Sequence, residues 1–218
     1  MKYNKLYNAP FPMIEVELED GEMLRYEPSA MVYSDAEIDV DLKFNRPEGG
    51  GGLLGSIVRT AVSGENMFIM HATAEKDGAK VALASPVPGD IIELKLGKEQ
   101  WRLRDGSFLA CDENVNFKLK RQSIGKALFA DTGGLFVMET TGTGTMLIDT
   151  CGAMHRIDLP KGKKIFVDNT HLVAWSSNLD YKVKLIGAGE LFTCEFVGPG
   201  YIILQTNCRN SPAKKSND

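Results

Sequence analysis

No apolar run in the sequence approaches the roughly 20 residues that a membrane-spanning helix needs, so no span is expected. The N-terminus, Met1-Lys2-Tyr3-Asn4-Lys5-Leu6-Tyr7, lacks the apolar stretch of a signal peptide and the Arg- and Ser-rich character of a transit peptide. Cysteine is scarce: Cys111, Cys151, Cys194 and Cys208 form no C-x-x-C pair and match no zinc or disulfide framework. Reduced thiols in a reducing, cytoplasmic setting are therefore expected. The three histidines, His71, His155 and His171, lie far apart and none sits in a metal-ligand spacing, so each is read as a turn or packing residue. Basic excess is missing as well. With 25 Lys and Arg against 29 Asp and Glu, the net charge is −4, whereas nucleic-acid binders concentrate positive charge to displace counterions from phosphates. The densest basic cluster ahead of the C-terminal tail is Lys118-Leu119-Lys120-Arg121, and nucleic acid is not an expected partner.

What is present is ordinary in amount and repetitive in order. Hydrophobic residues make up 43% and charged residues 25% of the chain, values of a globular protein rather than a disordered one. Leu18-Glu19-Asp20-Gly21 aligns with Leu159-Pro160-Lys161-Gly162 at an offset of 141 (159 − 18), and the register holds through two strands. Met31-Val32 then falls on Leu172-Val173, Ile38 on Leu179 and Val40 on Tyr181. A third copy fits at an offset of 77 (108 − 31), placing Phe108-Leu109 on Met31-Val32 and Val115, Phe117 and Leu119 on Ile38, Val40 and Leu42; only its first turn, around Gly97, slips by one. The second half of each copy repeats too, with Gly142-Thr143-Gly144 over Gly198-Pro199-Gly200 and Asp77-Gly78 as the hairpin tip of the first. Period-2 apolar alternation between regularly spaced turn residues predicts an all-β sandwich or barrel. The expected division is a unit over 13–88, a second over 89–152, a third over 153–208 and a disordered tail over 209–218, all in one compact assembly.

One segment breaks the scheme. Leu42 and Phe68 are 26 positions apart (68 − 42), against 17 for Leu119 and Phe136 (136 − 119) and 9 for Val183 and Phe192 (192 − 183), so the first copy carries an insertion. It opens on Gly49-Gly50-Gly51-Gly52-Leu53-Leu54-Gly55, and Leu54, Ile57, Val58 and Ala61 follow at helical spacing, which predicts a glycine-rich loop and one short helix. Gly50-x-Gly52-x-x-Gly55 fits the letters of a dinucleotide fingerprint, but that fingerprint needs a βαβ unit, and strand-turn-strand follows here. Read as a phosphate loop, it has Ser56 where a lysine should stand. The loop Gly49, Gly50, Gly51, Gly52, Leu53, Leu54 and Gly55 is the candidate interaction site.

Two further clusters are tested by comparing the copies. Asp35, Glu37, Asp39 and Asp41 line one face of a strand, as a cation site would. Their counterparts are Asp112, Asn114, Asn116 and Lys118, and Ser176, Asn178, Asp180 and Lys182. The apolar face persists while the polar face changes sign, the behaviour of a solvated surface. Cys194, between Phe192 and Phe196 on the apolar alternation, reads as a small buried hydrophobe, and Cys151, beside Gly152, as the most exposed thiol. No Gly-x-Ser-x-Gly elbow occurs, and no catalytic residue, metal or cofactor is expected.

The run Gly49 to Ile57 followed by Ser63-Gly64-Glu65-Asn66-Met67-Phe68 closely resembles the family of the yeast altered-inheritance-of-mitochondria protein. So do Ser85-Pro86-Val87-Pro88-Gly89-Asp90-Ile91, Gly142-Thr143-Gly144-Thr145 and His171-Leu172-Val173-Ala174-Trp175. The resemblance spans Ile14 to Gln205. It implies a β fold similar to that of the trp RNA-binding attenuation protein, with three related units exchanging strands, and it carries over no catalytic residue. The functional expectation is a non-enzymatic scaffold or interaction protein that forms a homo-oligomer. The alternative is a small-ligand or nucleic-acid-binding module that uses the glycine-rich loop.

Overall fold

The computed structural model describes residues 1–44, 68–104, 106–121, 136–186 and 191–207. The glycine-rich loop Gly49–Gly55, the expected helix around Ile57 and the tail 209–218 lie outside the described residues. The chain begins with β1 (Lys2–Lys5), β2 (Met13–Leu18), β3 (Met23–Tyr26), β4 (Met31–Ser34), β5 (Ile38–Phe44), β6 (Phe68–Ala74) and β7 (Ala79–Ala84). It continues with β8 (Gly89–Leu96), β9 (Trp101–Arg104), β10 (Phe108–Asp112), β11 (Val115–Arg121), β12 (Phe136–Gly142) and β13 (Gly144–Cys151). The last stretch holds β14 (Met154–Leu159), β15 (Lys164–Asp168), β16 (Leu172–Ser176), β17 (Tyr181–Ile186), β18 (Leu191–Val197) and β19 (Gly200–Gln205). Apart from a single 3-10 turn at Asn169–His171, the regular structure of the described residues is all β.

These strands form four antiparallel sheets, ordered β1-β2-β7-β4, β5-β6-β3-β10-β13-β8, β11-β12-β9-β16-β19-β14 and β15-β18-β17. Three apolar cores lie between successive sheets. The first joins Ile14, Val16 and Val81 of the first sheet to Leu24, Tyr26 and Leu147 of the second. The second core sets Met146 and Ile148 against Leu103, Val173 and Ile203. The third sets Leu172, Trp175 and Ile202 against Val167, Cys194 and Phe196. Both faces of each six-stranded sheet are thus buried, while the outermost sheets bury one face each. At about 25 cal/mol per Å² of apolar surface, these three layers are the dominant stabilising term.

The pairing pattern recurs along the chain. β4-β7-β2, β10-β13-β8 and β16-β19-β14 are joined in the same way, as are β5-β6-β3, β11-β12-β9 and β17-β18-β15. A bulge interrupts each first set at one place, between Met31 and Tyr33, between Phe108 and Ala110, and between Leu172 and Ala174. These sites are 77 (108 − 31) and 141 (172 − 31) residues apart. A bulge lets two successive side chains face one side of a sheet. Here it sends Leu109 and Ala110 together into the first core and Val173 and Ala174 together into the second.

Hairpin tips fall where glycine allows a positive φ, as at Gly78 (φ 79°) and Gly142 (φ 88°). At Gly142 a Cβ would also lie 2.2 Å from the Asn114 carbonyl oxygen, so the β12–β13 turn tolerates no side chain there.

Candidate interaction edges

Each six-stranded sheet is held at its middle by one junction between two three-stranded halves. β3 pairs with β10 in the second sheet, placing Tyr26 opposite Ala110, Arg25 opposite Cys111 and Leu24 opposite Asp112. β9 pairs with β16 in the third, placing Leu103 opposite Ala174, Arg102 opposite Trp175 and Trp101 opposite Ser176. An arginine clasps each junction: Arg25 donates to the carbonyls of Asp112 (3.3 Å) and Glu113 (3.0 Å), and Arg102 to the Leu179 carbonyl (2.9 Å) and to Asp180 (3.2 Å).

The outer sheets carry the same strands without that junction. Among the described residues β4 pairs with β7 alone and β15 with β18 alone. Exposure follows pairing: β4 presents Val32 and Tyr33 at 54% and 40% exposure, whereas Leu109, Ala110, Val173 and Ala174 are at most 1% exposed. Phe166, in the position that Arg25 and Arg102 hold, is 49% exposed, with the Lys184 ammonium over its ring. Tyr33 is held along the outer face by its hydroxyl, which donates to Glu15 (2.6 Å), while Lys80 donates to the other Glu15 oxygen (2.7 Å). The Lys80 and Tyr33 hydrogen bonds hold the Glu15 carboxyl below the usual carboxylate range, and the same carboxylate raises the Tyr33 phenol.

Asp35, Glu37, Asp39 and Asp41 are exposed, but only Asp39 and Asp41 lie on β5, Asp35 and Glu37 falling in the turn ahead of it and not on one strand face as expected; Asp41 pairs with Lys43 at 3.2 Å. Asp35 does more than face water, because its carboxylate accepts the Lys80 backbone N–H (2.9 Å). Asp112 accepts from the Thr145 N–H (2.6 Å) and Ser176 from the Tyr201 N–H (3.0 Å) at the corresponding places. Comparing residue types across copies misses this, since carboxylate and hydroxyl supply the same acceptor. Among the described residues no three His, Cys, Asp or Glu side chains converge. His171 closes the 3-10 turn with its Nδ1 2.7 Å from the Gln205 carbonyl oxygen. His71 sits part-buried on β6, and burial, then Lys43 and Arg25, lower its pKa. Within the basic cluster, Lys120 pairs with Glu139 at 2.5 Å.

Cys151 corrects the expectation of an exposed thiol. It is buried where the end of β19 and the residues just beyond it cross the chain: the Cys151 N–H donates to the Gln205 side chain (2.9 Å) and its carbonyl accepts from the Asn207 N–H (3.1 Å). Burial pushes the Cys111 and Cys194 thiols up to about 12. One half-open cleft of about 530 Å³ lies where the β8–β9 turn meets the end of β14 and the β18–β19 turn. Gln100, Leu159, Asn178, Pro199 and Tyr201 are among the residues that line it. No helix among the described residues is long and apolar enough to cross a membrane.

Stacked antiparallel sheets that share strands between consecutive parts of one chain, with a strand at either end that is paired along one edge alone among the described residues, define an all-β protein of layered architecture. The family model for mitochondrial biogenesis AIM24 matches residues 3–207, and the chain belongs to that family. It is 44% identical over 214 residues to an uncharacterised protein of Streptococcus pyogenes serotype M6, covering 94% of this chain and 86% of that one. The fold is similar to a crystal structure of a Streptococcus pyogenes protein, with a TM-score of 0.76 at 36% identity over 95% of this chain and 94% of the other.

Proposed function

We propose that this protein is a non-enzymatic scaffold that acts by associating with copies of itself. In this reading the chain is one assembly of three units, 13–88, 89–152 and 153–208, which exchange strands in the manner of the trp RNA-binding attenuation protein fold. It works in a reducing, cytoplasmic setting. The observation that supports it is the pair of half-built sheets at the two ends. Apolar side chains that are buried at both internal junctions are in water at the ends, and unpaired strand edges of that kind seek a partner strand. Nucleic acid is not among the partners proposed, given the charge of −4 and the engagement of Lys120 by Glu139. Light scattering on the eluting peak tests the proposal: the expected mass is a multiple of the 23.9 kDa chain at tens of micromolar. A single species at 23.9 kDa across that range overturns it.

A further inference from the structure

The two ends of the molecule are complementary halves of one junction that the chain already makes twice. β15 stands in the place of β3 and β9, since Ile165, Phe166 and Val167 lie 141 residues beyond Leu24, Arg25 and Tyr26 (165 − 24). β4 stands in the place of β10 and β16, since Tyr33, Ser34 and Asp35 lie 77 residues before Ala110, Cys111 and Asp112 (110 − 33). Both internal junctions have one register under these offsets. Each half therefore has a known partner geometry, and β15 and β4 are not paired with each other in the chain.

We infer that β15 of one copy pairs antiparallel with β4 of a second copy, Val167 opposite Tyr33, Phe166 opposite Ser34 and Ile165 opposite Asp35. This inference rests on the self-association proposed above and specifies its surface. The paired halves complete a further sheet of the same order, β17-β18-β15 continued by β4-β7-β2, with β1 as a seventh strand at its edge. Val32 and Tyr33 then cover the third core of the first copy, as Leu109 and Ala110 cover the first core within the chain. β4 reads Met-Val-Tyr-Ser. It has no charge and no proline, two of the devices that keep edge strands from pairing; its bulge is one that β10 and β16 also carry and pair in spite of, and Asp35 just beyond it is bonded to the Lys80 N–H of its own sheet. The contact is heterologous, because the two surfaces differ. It leaves one β4 and one β15 unused after each addition, so it propagates to a closed ring or an open chain. Phe166 replaces the arginine clasp of the internal junctions, which makes the end junction apolar and insensitive to salt.

Cysteine pairing reads the register directly. Directly opposed antiparallel residues lie roughly 4.5–5.5 Å apart at Cα, within disulfide reach. In a Cys208→Ser background, chains carrying Ser34→Cys are mixed with chains carrying Phe166→Cys under mild oxidation. A covalent dimer is expected in the mixture and in neither protein alone. Val32→Asp, at an exposed position that leaves the single chain folded by circular dichroism, is expected to reduce the wild-type mass to that of one chain. The wild-type mass is expected to be the same in 0.05 and 0.5 M NaCl. A multimer that yields no mixed dimer, or one that survives Val32→Asp, overturns this junction while leaving self-association standing. A wild-type chain that is monomeric throughout overturns both.

Discussion

At the scale of single residues, environment has reshaped side chains whose type alone suggested another role. A thiol reacts as its thiolate, and Cys111 and Cys194, with pKa values pushed up to about 12 by burial, hold almost none of it at pH 8. Cys151 is 5% exposed, with Gln205 and Asn207 hydrogen-bonded to its backbone. In a Cys208→Ser variant the native protein should therefore leave all three thiols unlabelled by a chromogenic disulfide reagent at pH 8, and denaturant should release three equivalents. Labelling of one thiol at the rate of free cysteine in native buffer would show that Cys151 is open after all. Gly152 beside Cys151 signals a turn and hence exposure, but the cover comes from residues more than 50 positions away, which local sequence does not display. Cys194, between two aromatic residues on a strand, was legible because its cover is its own strand's alternation.

At the scale of strands, the bulges decide which positions are comparable. Val32, Leu109 and Val173 occupy the same place in three bulges, yet only the latter two have a neighbouring half-sheet to cover. Truncating Leu109 removes methyl groups from a closed core and should cost about 2–5 kcal/mol. Val32→Ala, measured by urea unfolding of chains too dilute to associate, should stay within about 0.5 kcal/mol, as surface changes do. Equal costs at the two positions would mean that β4 is covered in the single chain. The strand positions and offsets were legible in sequence because apolar alternation and turn residues are local signals that recur. The joining of halves was not. Alternation states that a strand has a buried face, whereas the identity of the strand across its edge depends on how the units are placed.

At the scale of the whole molecule, the distinction between a finished and an unfinished layer bears on stability. The two six-stranded sheets bury both faces inside one chain, and their contribution is independent of concentration. The outer sheets bury one face each, so any copy that completes them binds the folded chain and not the unfolded one, and stabilises by mass action. A tenfold rise in concentration above the dissociation constant is then worth about 1.4 kcal/mol per junction. For a domain of this length each kcal/mol moves the thermal midpoint by roughly 2–4 °C, so the wild-type midpoint should climb by about 3–6 °C per decade of concentration. Val32→Asp should melt at one temperature at every concentration, close to that of the most dilute wild-type sample. A wild-type midpoint that does not move between 1 and 100 µM, in a protein that light scattering shows to be multimeric, would place the association outside the cooperative unit. The end strands would then be surfaces that touch without completing a sheet.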